Sequence, residues 1–382
     1  MRLRRFAKRW KLRSVYMVAV FCVMSFSIST IFSAISEGAE VVSPERRIAT
    51  ASTNGKAGVS SPVSIQKMEE VKSTKAVLGA STNKQIFSQI PPKPSWVTMP
   101  LYTDPNNGAA QYIAKNPSIN GASYIERMAK VPVAQWFGDW NSNVKVDVDN
   151  YVAAAAAKRS VPVVVVYNIP HRDCGGYSTG GANNFSSYTK WIEQVAAGIG
   201  NRTAVVILEP DALGALNCLP SSQRQERTQS IAQAVTILKA HAQTAVYIDA
   251  GTPVWQPVNV MASRLKIANV AAANGFSLNV SYFSSTAKNR TYGNQLSSLI
   301  GNKHYVIDTS RNGANHAVTG MQCNPSFAAL GEMPTTNTGS ALNDALLWIK
   351  IPWESDGSCN GSPGPGEGYW SYAVELAKNA GW

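Results

Sequence analysis

Short runs of β-branched and apolar residues recur along this chain, and four of them run directly into an aspartate. Residues 161–170 lead to Asp173, 204–210 to Asp211, 245–248 to Asp249 and 345–355 to Asp356. Such runs are too short for helices and too uniformly apolar for half-exposed strands, so they read as buried parallel strands. Between them lie segments with helical spacing. Tyr188, Trp191, Ile192 and Val195 fall at i, i+3, i+4 and i+7, and Ile231, Val235 and Leu238 do the same within 222–243. An alanine-rich stretch at 147–158 and a closing stretch at 368–379 also read as helices, and 275–282 and 304–308 as further strands. Strand and helix alternating in this way predict an α/β fold with a parallel sheet, closed or partly closed as a distorted β/α barrel in one catalytic domain. In a barrel the C-terminal ends of the strands converge on one face, where active sites form. Four carboxylates on that rim, without a plausible metal cluster nearby, point to acid–base work on a neutral substrate.

Composition divides the 382 residues unevenly. Residues 1–13 carry seven Arg and Lys side chains and precede an apolar stretch from Val15 to about Ile35. A basic n-region followed by an h-region predicts export. The apolar stretch is close to the ~20 residues that span a bilayer, so residues 1–36 are expected to be either a cleaved signal peptide or a retained signal-anchor. The protein is thus expected to be secreted or anchored at the cell surface. Residues 37–92 hold a single aromatic, Phe87, and are rich in Ser, Thr and Lys. Such a segment buries too little surface to offset its ordering entropy and reads as a disordered linker. Nine of the ten tryptophans follow it, which places the folded domain at 93–382. The net charge of +12 is not spread evenly: residues 1–90 hold 14 Lys and Arg against 5 Asp and Glu, and residues 91–382 hold 21 against 18. The basicity belongs to the export segment and linker, which argues against nucleic acid as a partner. Nothing in the sequence indicates an oligomer, and a monomer is expected.

Outside the export segment there are four cysteines, an even number in an oxidising compartment. Of the three pairings they allow, Cys174–Cys218 and Cys323–Cys359 are favoured, because each would tie together loops that follow neighbouring strands. There is no CxxC spacing and no zinc site is expected.

Five segments appear in order: Val165-Val-Tyr-Asn-Ile-Pro-His-Arg-Asp-Cys-Gly, Ile207-Leu-Glu-Pro-Asp, Tyr247-Ile-Asp-Ala-Gly, Val306-Ile-Asp-Thr-Ser-Arg-Asn-Gly and Trp348-Ile-Lys-Ile-Pro-Trp-Glu-Ser-Asp-Gly. Together they closely resemble glycoside hydrolase family 6, the inverting cellulases, over essentially all of 93–382. The resemblance implies an inverting endo-β-1,4-glucanase with no cofactor and a β-1,4-glucan as its partner. In an inverting glycosidase an acid protonates the leaving oxygen while a water attacks the opposite face, the two carboxyls standing about 6.5–9.5 Å apart. Asp211 matches the general acid, Asp173 the residue whose charge raises the acid's pKa, Asp356 the candidate base and Asp249 a supporting aspartate. Tyr167 matches a tyrosine beneath the ring at the scissile bond. Trp136 and Trp255 match sugar-stacking positions, Lys350 and Glu354 match residues that bond hydroxyls, and Asn279 is a further expected substrate contact.

Other residues carry blander expectations. Asp308 is expected to pair with Arg311, Glu209 to be structural with a buried basic partner, and Trp191 and Trp348 to be core. The stretch 175–181 resembles a mobile lid over the site. Two departures from the family pattern stand out: Trp353 where a glycine is usual, placed to narrow the cleft, add a stacking surface or displace Asp356, and Thr252 where His or Asn is common. Only about a dozen residues, 357–368, separate Asp356 from the last helix. That is too few for the long loop that roofs processive members, so an open cleft and cutting within chains are expected, in preference to exo-acting cellobiohydrolysis or weak glucan binding.

Overall fold

The computed structural model describes residues 89–314 and 322–382, so the expected export segment and most of the expected linker lie outside the described residues. Two short helices, α1 (Gly108–Lys115) and α2 (Ala122–Met128), lead to strand β1 (Gln135–Gly138). Strands and helices then alternate: α3 (Val144–Ala157), β2 (Val163–Tyr167), α4 (Phe185–Ile199), β3 (Ala204–Leu208), α5 (Ser221–Lys239), β4 (Thr244–Asp249), α6 (Val258–Ile267), β5 (Gly275–Leu278), α7 (Thr286–Leu299) and β6 (His304–Asp308). Strand β7 (Asn343–Leu347) and α8 (Trp370–Asn379) complete the chain, and the β6–β7 connection has no helix among the described residues. All seven strands are parallel and ordered β1 to β7. The expected parallel, incompletely closed β/α barrel is what forms.

The strands sort their side chains with period two. Val163, Val165 and Tyr167 of β2, Val205 and Ile207 of β3, and Ala245 and Tyr247 of β4 face the interior, where they meet Val306, Ala345 and Leu347. Val164, Val166, Val206, Leu208, Val246 and Ile248 face outward and pack against α3 to α7, with Tyr188, Ile192 and Val195 of α4 and Ile231, Val235 and Leu238 of α5. Continuous apolar runs are thus required because both faces of the sheet are covered.

The sheet does not close through a ladder between β7 and β1. At the seam, the Ala134 amide donates to the Trp348 carbonyl (3.0 Å) and Trp136 Nε1 donates to the Ile349 carbonyl (2.8 Å). Helices α1, α2 and α8 cover this side through a separate cluster containing Ile125, Met128, Trp348, Trp353 and Tyr372. Trp348 is core, as expected, and Trp191 packs half-buried against the outer layer.

The floor of the barrel is plugged by residues 91–96. Trp96 is buried and its Nε1 donates to the Tyr247 hydroxyl, which donates to Asp344 Oδ2 at 2.6 Å. His304 Nδ1 lies 2.7 Å from Asp344 Oδ1 and its Nε2 2.8 Å from the Pro91 carbonyl. Two acceptors at both ring nitrogens require the imidazolium form. Burial opposes that charge, but the bond to Asp344 outweighs it and raises the pKa.

Candidate active site

The C-terminal ends of the strands are built from strained backbone. His171, Asp173, Cys174, Glu209, Asp211, Asn279 and Ser281 all have positive φ, between 50° and 70°. Non-glycine residues hold this conformation only where their surroundings fix it, and such strain collects at functional sites. Here the fixing groups can be named. Buried Glu209 accepts hydrogen bonds from the amides of Asn168 and Ile169 (3.0 Å), and so pins the chain leaving β2 to the chain leaving β3. The disulfide Cys174–Cys218 ties the same two loops, and Cys323–Cys359 ties the loop that follows Asp356; both are the expected pairings.

Alternation along β4 aims Asp249 into the barrel mouth, where it is fully buried. Its Oδ1 accepts from the amides of Asp211 and Gly251 (both 3.0 Å), and its Oδ2 from Ser277 Oγ (3.1 Å). Asp211 has the opposite provision. Its Oδ1 is buried and meets no donor. Burial, and then the charges of Asp249, Asp173 and Asp356 in that order, push its pKa well above the usual carboxylate range. Burial also pushes Asp249 up, against the pull of its three hydrogen bonds. Of two adjacent carboxyls that cannot both ionise freely, the one with three donors carries the charge and the one with none keeps the proton. The proton therefore resides on Asp211. Asp249 is a larger source of this shift than Asp173, the residue to which the sequence assigns it.

Asp173 opens a short 3-10 turn beyond β2, with Oδ2 accepting from the Ser178 amide (2.7 Å). Burial raises its pKa, against the Ser178 bond and the Arg172 charge. Arg172 donates to Asp139 (2.9 Å), to the Tyr167 carbonyl (2.9 Å) and to the Ser178 carbonyl (2.8 Å), gathering the β1 loop, β2 and the segment 175–181. That segment reaches the opposite wall, where a side chain at Gly357 would collide with Tyr177.

Asp356 is held quite differently. Arg311 Nη1 donates to its Oδ2 (2.9 Å), as does the Asn324 amide (3.1 Å), and Lys350 Nζ lies 3.8 Å from Oδ1. Burial favours the neutral acid, but the Arg311 and Lys350 charges prevail and hold the pKa below the usual range. The mouth thus presents a protonated carboxyl on one side and an ionised one on the other, within reach of each other's field.

Around these carboxyls lie the expected sugar-binding side chains. Trp136 stands edge-on to Tyr167 at 5.3 Å, half-buried. Trp255 is half-buried over the backbone of Gly214 and Gly251, where a larger residue would collide with its ring. It also tilts against Tyr282 at 5.5 Å. Lys350 donates to the Ser355 carbonyl (3.2 Å), and Glu354 stays partly exposed with its pKa raised by burial. Among the described residues no three His, Cys, Asp or Glu converge as a metal would need.

The sequence matches the profile described as Glycosyl hydrolases family 6 over residues 93–380. The chain belongs to that family. Family 6 relatives include Endoglucanase A of Thermobispora bispora, 44% identical over 291 residues that make up 74% of this chain and 62% of that protein. Endoglucanase 1 of Streptomyces halstedii is 41% identical, across 72% of this chain and 87% of its own length. Among solved structures, the endoglucanase Cel6 of Mycobacterium tuberculosis, in complex with methyl-cellobiosyl-4-deoxy-4-thio-β-D-cellobioside, superposes with a TM-score of 0.72 at 43% identity, covering 74% of this chain and 98% of that one. The chain therefore spans under two thirds of the Thermobispora relative and nearly all of the solved domain.

Within this family 6 frame, several expectations are corrected. Asn279 is fully buried and donates to the Asp308 carbonyl (2.9 Å) while accepting from the Ser284 amide (3.2 Å), so it braces the loop after β5 and does not face a substrate. Asp308 does not pair with Arg311. It accepts four backbone amides, from Ser281, Ser310, Ile349 and Lys350, and Arg311 turns instead to Asp356. Glu209 takes amides as its partners and forms no ion pair among the described residues. Trp353 points away from the mouth: it is 2% exposed, parallel to Trp370 at 6.4 Å and packed on Gly108, so it neither narrows the cleft nor offers a stacking face. Thr252 is buried against Ser284 Oγ (3.0 Å) and touches no open space. Sequence reasoning missed Asn324, whose backbone and side chain bond both Asp356 Oδ2 and the Asp356 amide (3.1 and 2.9 Å). It also missed Tyr282, buried beside the carboxylate cluster, whose charges add to burial in raising its pKa. Only the span of Asn324 next to Cys323 could have signalled the first.

Proposed function

We propose that this chain is an inverting endo-β-1,4-glucanase that hydrolyses internal bonds of cellulose or a related β-glucan. One observation carries the reading: Asp211 keeps its proton because Asp249 takes all the donors, while Asp356, across the mouth, is kept ionised by Arg311 and Lys350. That is the polarisation that acid-assisted departure with water attack on the other face requires.

In this mechanism Asp211 gives its proton to the glycosidic oxygen as positive charge builds on the anomeric carbon. The neighbouring anions Asp249 and Asp173 favour that charge, and they raise the proton affinity of Asp211 so that it takes a proton back from solvent after the leaving group departs. The attacking water loses its proton toward Asp356. A carboxylate with a depressed pKa is a weak base, so its contribution lies in orienting the water as much as in accepting the proton. Asp173, half-buried and tied to Ser178, is positioned to order the same water. Tyr167 supports the ring at the scissile bond, Trp136 and Trp255 stack on neighbouring rings, and Lys350 and Glu354 bond hydroxyls. The short 357–368 connection supports an open cleft and therefore internal cutting. A polymeric glucan as substrate also agrees with export by residues 1–36, with 37–92 as the linker and 93–382 as the catalytic domain.

The test is hydrolysis of carboxymethyl-cellulose by the full chain beside Asp211→Asn, with viscosity and reducing ends followed together. Rapid viscosity loss per reducing end, abolished in the variant, is expected. Slow viscosity loss with steady sugar release would establish an exo-acting enzyme, and glucan binding without turnover would remove the catalytic reading.

A further inference from the structure

Strand β1 puts Trp136 and Gly138 on the same, inward face, two residues or about 7 Å apart along the strand. Phe137 between them faces the outer layer. Gly138 has no side chain of its own to offer, but the space a Cβ would take there is filled by the six-membered ring of Trp140. The indole therefore folds back over the strand end at Gly138, whose register partner is Tyr167. The Cε3, Cζ3 and Cη2 atoms lie nearest that position, and Trp140 remains 55% exposed.

This placement is built, not accidental. The turn carrying Trp140 is closed by the Asn141 amide donating to the Gly138 carbonyl (3.1 Å) and by the Gly138 amide donating to Asn141 Oδ1 (3.0 Å). Asn141 Nδ2 is held in turn by Asp147 Oδ2 (2.8 Å) at the start of α3. The Arg172 guanidinium stands between two rings, 5.3 Å from that of Trp140 and 4.7 Å from that of Tyr167. Asp139, next in sequence to Trp140, fixes that guanidinium and also accepts from the Gly181 amide (3.0 Å) at the end of the lid-like segment. A rigid, flat apolar face edged by charged donors and acceptors, on the rim of the carboxylate mouth, has the chemistry that recognises a pyranose ring: its C–H face stacks and its equatorial hydroxyls bond.

We infer that Trp140 is an outer sugar-stacking platform, which holds a glucosyl unit of the bound chain on the far side of Arg172 from Tyr167. The inference rests on the glucanase reading above and adds to it a residue that grips the polymer beyond the scissile bond. Trp140 does not touch the reacting atoms, so its effect grows with the length of the substrate.

Two measurements on the full chain test this. In an Asp211→Asn background, calorimetric binding of cellohexaose should weaken roughly five- to tenfold on Trp140→Ala, and Trp140→Phe should recover most of the loss. In the active protein, the ratio of kcat/KM for cellohexaose to that for cellotetraose should fall by a similar factor in Trp140→Ala, with the circular dichroism spectrum and Tm retained. A wild type that hydrolyses and binds cellohexaose, with Trp140→Ala matching it in affinity and in that ratio, overturns the inference and leaves the glucanase reading standing. Equal losses on both oligosaccharides also overturn it, because they would mark a general disturbance of the site. Absence of β-glucan binding and hydrolysis in the wild type itself would defeat the underlying reading, and this inference with it.

Discussion

Replacing Asp249 by Asn removes one charge and almost no volume, and so isolates what holds the proton on Asp211. The amide oxygen can still accept from the Asp211 and Gly251 amides, and the Ser277 hydroxyl can turn to accept from the new NH2, so the three bonds persist. The carboxyl of Asp249 accepts from the Asp211 amide at 3.0 Å, so the two side chains are close neighbours. At an effective dielectric of about 20, two unit charges about 5 Å apart repel by about 3 kcal/mol, which corresponds to about 2 pH units. Asp211 borders the open mouth, where water screens part of this, so a shift of at least about 1 unit is expected. The direction is fixed by the chemistry. The active form has Asp211 protonated, so a lower pKa moves the alkaline limb of kcat/KM toward lower pH. The assay is kcat/KM for cellopentaose from acid to mildly alkaline pH, for both proteins. An alkaline limb that stays in place, or moves to higher pH, would refute the assignment of Asp249 as the leading anion behind Asp211.

Two further outcomes follow from the buried groups. Trp353→Ala should cost about 3–5 kcal/mol in urea unfolding, as large-to-small changes in a packed core do, with KM for a soluble β-glucan unchanged; a changed KM at intact stability would put the indole back in the cleft. Burial pushes the folded-state pKa of Glu209 up to about 7, from an ordinary value of 4.5. The folded state thus binds a proton that the unfolded state has lost. Its contribution to stability is full below about pH 4 and disappears as pH rises through about 7. Near pH 6 this group lowers stability by about 1.4 kcal/mol per pH unit, so Glu209→Gln should flatten the slope of unfolding free energy against pH by about that much. Parallel slopes in denaturant titrations at pH 5, 6 and 7 would contradict it.

Which parts of this were legible in the sequence has a physical explanation. Strands β2, β3, β4, β6 and β7 announce themselves because burial on both faces demands apolar runs, and an aspartate stands within or shortly after each of them. Strand β1 does not, since Gln135-Trp-Phe-Gly is only four residues long and too mixed to show a period. The partners of the charged groups were less legible still. Arg311 is three residues from Asp308, and proximity in sequence suggests a pair. The loop instead turns the guanidinium toward Asp356, 45 residues away, and leaves Asp308 to four amides drawn from three separate segments. Past the end of a strand no periodicity fixes where a side chain points. For the same reason Trp353, two residues after a buried isoleucine, could be placed in the cleft by sequence and yet belong to the packing of α1 and α8. Asn324 was illegible because its role consists of bonds to residues more than 30 positions away.

The open seam between β7 and β1 bears on how such an enzyme is tuned. A fully laddered barrel has a circumference set by its strand count and stagger, so its mouth cannot widen without breaking hydrogen bonds all round. Here the circumference is held at one place by only two bonds among the described residues, from the Ala134 amide to the Trp348 carbonyl and from Trp136 Nε1 to the Ile349 carbonyl, and Asp356 follows the strand on one side of the gap while Trp136 lies on the strand at the other. Beyond those two bonds, the distance across the gap depends on how α1, α2 and α8 pack over it. Substitutions in those helices, remote from any sugar, can therefore adjust the width of the groove while the six strand pairings stay intact. Selection for a bulkier or slimmer polymer can act on a surface that never touches it.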